Sequence, residues 1–160
     1  MKLLKWLLLI LLVISVIGVV LFFVLRWQVA RMSPVPNNLG VQNGRLAPCP
    51  ESPNCVSSYE TDEVHGMAGI EFTGETAVAQ EKLRAIIQAM PNSTLITDEP
   101  GYLHAEFRSP TMRFIDDVEF YFDEADGLIQ FRSAARLGYA DMDANRKRMA
   151  EIQAAYTALK

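Results

Sequence analysis

The stretch "CPESPNCVSS", Cys49 to Ser58, holds both cysteines of the 160-residue chain. Two such thiols could begin a metal site, attack a substrate, or oxidise to a disulfide. A metal site needs further ligands, and the two histidines, His65 and His104, stand in no recognised spacing with the pair. A redox pair is more often C-x-x-C, and an acid-base thiol needs a histidine partner that nothing here specifies. The favoured reading is a structural brace: a small ring closed by Cys49 and Cys55 and stiffened by Pro50 and Pro53. Such bonds persist in export compartments. Neither metal nor cofactor is expected.

A second set of candidates lies toward the C-terminus: Arg108, Arg113, Asp116, Asp117, Glu119, Arg132, Arg136, Tyr139, Asp141, Asn145 and Arg146. Opposed charges at this density could bind an anionic head group, or form an ion-pair and capping network; the network is the expectation. Asp116 and Asp117 make a poor acid-base pair, because neighbours on a strand point to opposite faces. Ser57, Ser58 and Ser133 are possible nucleophiles, yet the chain has no G-x-S-x-G, S-x-x-K or H-E-x-x-H. His104 sits in a strand pattern and reads as a half-buried packing residue. No catalytic residue is assigned, and an enzyme is the less favoured reading.

The elements that position these residues begin with "LLLILLVISVIGVVLFFVL", residues 7–25, which carries no charge. At 1.5 Å per residue this run spans roughly 28 Å, the thickness of a hydrocarbon core. Trp6 and Trp27 bracket it, with Lys2, Lys5, Arg26 and Arg31 at the water boundaries. The run exceeds the apolar core of a cleavable signal peptide, and "RWQVARMSP" offers no small-x-small cleavage site. A transmembrane anchor at 7–25 is expected, after a cytoplasmic segment at 1–6. The basic residues nearly balance across the span, so the cysteine pair decides for an inner-membrane protein with its C-terminal domain on the exported side.

Residues 26–48 are the expected juxtamembrane linker; from Met32 they are rich in Pro, Asn and Gly and either lift the domain off the bilayer or lie along its surface. Residues 49–160 form one soluble domain. Net charge −4 argues against nucleic acid as a partner.

Within the domain, "MAGIEFTG" reads as a strand, and Ala79, Leu83, Ile86, Ile87 and Met90 form the apolar stripe of a helix over 76–90, stopped by Pro91 and Asn92. "STLITD", "YLHAEFRS", "DDVEFYFD" and "LIQFRSAA" read as four more strands. A four-residue loop between the last two sets Phe120 opposite Phe131, Phe122 opposite Ile129 and Glu119 opposite Arg132. A final helix over 143–159 recurs at Asn145, Met149, Ile152, Tyr156 and Leu159, with Asp141 or Asp143 to cap it. The fold class is α+β: the transmembrane helix, then a two-layer sandwich whose antiparallel sheet of about five strands carries two helices on one face.

"CPESPNCVSS", "FIDDVEFYF" and "RSAARLGYADMDANRKR" resemble, in this order, three signature blocks of the domain of unknown function 1499 family, small bacterial and plastid proteins often carrying an N-terminal membrane segment. The resemblance runs from about Leu39 to the C-terminus and implies a shared fold but no activity, since the family has no established reaction. Three functions are weighed: a non-catalytic envelope domain that engages a protein partner or maintains the envelope; a carrier of lipid or a small amphiphile, with Phe120, Phe122, Phe131, Met149 and Tyr156 lining a cavity under the last helix; and a membrane-proximal hydrolase.

Overall fold

A computed structural model describes residues 2–159. Met1, which starts the expected cytoplasmic segment, and Lys160, which ends the soluble domain, lie outside them. Helix α1, Lys2–Met32, buries no residue and is long and apolar enough to cross a membrane. It runs seven residues past the apolar span, through Arg26 and Arg31, so the first part of the expected linker is helical.

The rest is one antiparallel sheet with two helices. Strands β1 (Cys55–Ser57) and β2 (Ile70–Glu71) both pair with β6 (Leu128–Ala135), and the order then runs β6, β5 (Ile115–Asp123), β4 (Tyr102–Arg108), β3 (Ser93–Glu99). Helices α2 (Thr76–Ala89) and α3 (Ala144–Ala158) complete the order. The sheet has six strands rather than five because Cys55–Ser57 adds a short strand to the same β6 edge that β2 uses. The expected register of β5 on β6 holds: Phe120 faces Phe131, Phe122 faces Ile129 and Glu119 faces Arg132. A two-residue turn at Pro100 and Gly101 joins β3 to β4, and Gly101 takes φ +79°, which a glycine adopts without the Cβ clash.

Side chains of one sheet face pack under α2 and α3. Leu83, Ile87, Leu103, Phe120, Ile129, Phe131, Met149 and Ile152 are wholly buried there. Each such burial contributes roughly 1.5–3 kcal/mol relative to exposure. The five residues expected to line a cavity all belong to this cluster, none more than 3% exposed. They pack as core: Leu83 and Ile87 of α2 and Met149, Ile152 and Tyr156 of α3 are buried in one cluster with the strand phenylalanines. Leu159 departs from the expected stripe: α3 ends one residue earlier, and Leu159 is exposed.

The opposite sheet face is buried too. Residues 33–48 lie along it as a ribbon, with Ser33 and Leu46 each 5% exposed and the Gly40 amide donating to Glu119 of β5 at 2.7 Å. Both faces of β5 are therefore covered, and six of its residues in a row, from Ile115 to Phe120, are buried.

Candidate functional site

Beneath the ribbon lies a layer of ionisable side chains. Period-2 alternation places Tyr102, His104, Glu106 and Arg108 of β4 on this face beside Asp117 and Glu119 of β5, and pairs His104 with Glu119 and Glu106 with Asp117 across the strands. Arg136, just past β6, reaches back over them. Its Nε donates to Asp117 Oδ2 at 2.8 Å, and its Nη2 to Asp117 Oδ1 at 2.7 Å and Glu106 Oε1 at 2.6 Å. Its Nη1 donates to the Ser33 carbonyl at 3.3 Å, at the residue where the chain leaves α1.

Arg108 donates to the other Glu106 oxygen at 2.6 Å. His104 Nε2 donates to Asp117 Oδ1 at 2.8 Å, and both side chains are 4% exposed or less. Glu119, wholly buried, accepts from the Tyr102 hydroxyl at 2.8 Å, from the Gly40 amide, and from Arg132 Nη1 at 3.3 Å. Three arginines thus meet three carboxylates. Such charges tolerate burial only when paired and hydrogen-bonded.

The electrostatics follow from the pairing. Burial pushes Asp117 up, but hydrogen bonds from Arg136 and His104 outweigh it and hold the carboxyl below its usual range. Glu106 is low for the same reasons, burial being outweighed by Arg108 and Arg136. Burial, then the neighbouring Glu119 carboxylate, pushes the Tyr102 phenol up, so it stays protonated as a donor. His104 and Asp117 form a hydrogen-bonded histidine–carboxylate pair, and His104 stands with Tyr102 and Tyr121 in the wall of an open cleft of about 630 Å³ between the ribbon and the β3–β4 hairpin.

A second group occupies the helix side. Asp116 points away from Asp117, as neighbouring strand residues must, and pairs with Arg148 of α3 at 2.6 Å; burial nevertheless lifts its carboxyl above the ordinary range. Asn145, wholly buried, donates to the Asn54 carbonyl at 3.0 Å and to Asp141 at 2.7 Å, and accepts from Arg148 at 2.6 Å. Asp141 accepts from the Asn145 amide at 2.8 Å and so caps α3. Asp143, the other expected cap, has φ 62° and makes no side-chain cap bond. Arg146 ties down the carbonyls of Glu63, Val64 and Gly66.

The expected cluster is therefore two groups on opposite sheet faces, because its residues fall on both parities of β5. Asp117, Glu119, Arg132 and Arg136 meet under the ribbon; Asp116, Asp141 and Asn145 meet under α3; Tyr139, 76% exposed, and Arg113 join neither. His104 is not a half-buried packing residue but a buried hydrogen-bonded one. Tyr102, Glu106 and Arg148 join these groups without having been expected from the sequence. The polar alternation of Tyr102, His104, Glu106 and Arg108 in "YLHAEFRS" was a signal for the first two. The serines are structural: Ser57 Oγ accepts from the Tyr59 amide, Ser58 Oγ from that of Phe131, and Ser133 bonds Asn145.

Cys49 and Cys55 form a disulfide, Cα atoms 5.7 Å apart, which fastens the end of the ribbon to the first residue of β1. Among the described residues no group of three or more His, Cys, Asp or Glu side chains is placed to hold a metal ion.

No curated protein matches the chain. Residues 45–156 match the family described as Protein of unknown function (DUF1499), a segment that runs from the end of the ribbon through the disulfide and the whole sheet into the last turn of α3, and leaves α1 outside. With the disulfide loop, both polar groups of the sheet and the capped final helix all inside that match, the chain belongs to the DUF1499 family.

Proposed function

We propose that this protein is a membrane-anchored domain of the cell envelope, held by α1 in the inner membrane with its N-terminus cytoplasmic and its folded part on the exported side, where it acts by binding rather than by catalysis. Its partner is an envelope protein, or its work is envelope maintenance. The observation that carries this reading is the contact of Arg136 with Glu106, Asp117 and the Ser33 carbonyl. The ionisable groups are spent on one another and on the chain leaving α1, so the network serves to clamp a rigid domain to its tether. The disulfide supports export, since it persists in oxidising compartments.

Protease protection in spheroplasts, combined with non-reducing mass spectrometry of the full chain, tests this. Digestion of the folded domain from outside, a mass lowered by two hydrogens and a protein crosslink in the intact envelope are expected. A protected domain with free thiols would sink the topology, and a co-purified lipid-sized adduct would favour the carrier.

The hydrolase reading keeps one observation in its favour, the His104–Asp117 pair in the wall of the cleft. It requires turnover that His104→Gln abolishes with folding intact. The five side chains nominated for a lipid cavity are core residues and lend the carrier no support.

A further inference from the structure

At the end of the sheet where α1 joins it, two loops carry apolar side chains that the core does not use. The loop before β5 presents Met112, half-buried, and Phe114, 39% exposed; the loop after β6 presents Leu137, half-buried, with Tyr139 at 76% and Met142 at 90% exposure. Between them runs an apolar groove of about 380 Å³. Met142 and Asp143 both take left-handed φ values, 57° and 62°. A methionine is an unfavourable residue in that region, and here the backbone holds it away from the core.

The position of these loops says what covers them. Ser33, the first residue past α1, is 5% exposed and bonded through its carbonyl to Arg136, which begins the second loop. The seven helical residues from Arg26 to Met32 rise about 10 Å, so this end of the sheet stands close above the headgroup layer, and closer if the helix tilts. Both loops extend from that end. Arg113, between Met112 and Phe114, makes no side-chain hydrogen bond or ion pair among the described residues. A free guanidinium beside exposed apolar and aromatic side chains is the composition that settles at a phosphate-bearing interface.

We infer that the loops over 109–114 and 136–142 form a second membrane contact, with Phe114, Tyr139 and Met142 inserted at the headgroup–acyl boundary of the leaflet that α1 leaves and Arg113 on lipid phosphate. This rests on the anchor reading of α1. The domain then lies on the bilayer at two points and is held in one orientation.

The test uses the full chain in vesicles of phosphatidylethanolamine and phosphatidylglycerol, kept without reductant. A polarity-sensitive fluorophore is placed through Met142→Cys, or through Ala125→Cys in the β5–β6 turn. That turn lies at the far end of β5, about 27 Å away along the strand. Nitroxide on the lipid acyl chains is the quencher, and the two native tryptophans of unlabelled protein, Trp6 and Trp27, report on α1. Blue-shifted emission at 142, quenched several-fold more than at 125, is the expected result. Quenched tryptophan emission with water-like, unquenched emission at 142 overturns the contact and leaves the anchor standing. Blue-shifted but unquenched emission at 142 overturns it in favour of a second copy or another protein over the patch. Unquenched tryptophan emission removes the anchor and the inference with it.

Discussion

At the scale of single residues, Arg136 is the side chain on which most depends. It satisfies two buried carboxylates and a backbone carbonyl with one planar group, a geometry that lysine cannot reproduce. Arg136→Met leaves Asp117 and Glu106 without their shared partner, and chemical denaturation is expected to show a loss of about 3–5 kcal/mol. The same carboxylates give the fold a pH dependence with a defined sign. Asp117 and Glu106 are held low in the folded chain, so their stabilisation is present above the unfolded values near about 4 and is lost as pH falls through the lower folded ones. Asp116, held high, acts oppositely: its contribution is present below the unfolded value and lost as pH rises through the folded one. Urea midpoints are therefore expected to fall on acidification below about pH 4, with a flatter acid limb in Asp117→Asn than in the parent. An unchanged limb would contradict the assignment of Asp117.

At the scale of elements, α3 depends on a cap two residues before the one that precedes it. Asp141 accepts from the Asn145 amide and side chain and also from the Asp143 amide, so Asp141→Ala is expected to lower stability by about 1 kcal/mol, while Asp143→Ala costs little; thermal unfolding of both variants checks the contrast. Five of the six strands and the helices were legible because their apolar residues keep periods of 2 and 3.6, whereas β1, three residues long, is too short to carry a period; the β5–β6 register followed from one loop length and a shared apolar face. The polar layer was only half legible. Glu119 opposite Arg132 came from the register, but nothing local announces that residues 33–48, with no periodicity of their own, fold back over that face and bury it. Burial by a distant irregular segment turns an ordinary solvent-side alternation into a charged core. The misreading of His104 has the same origin: without its cover, a strand histidine looks half-exposed.

At the scale of the whole molecule, three devices fix the 33–48 ribbon between α1 and the sheet: Arg136 at its start, Glu119 at its middle and the Cys49–Cys55 bond just past its end. Opening the short ring by Cys49→Ser with Cys55→Ser is expected to cost roughly 2 kcal/mol on loop-closure grounds, read as a lower Tm, and to free the ribbon's end before the sheet unfolds. Whether the sheet clamps the chain leaving α1 is read by hydrogen exchange of the full chain in lipid. Peptides covering 33–46 are expected to exchange slowly in the parent, and Arg136→Met to expose those from the start of the ribbon while β4 to β6 remain protected. Fast exchange of 33–46 in the parent, at the rate of an unstructured linker, would contradict it.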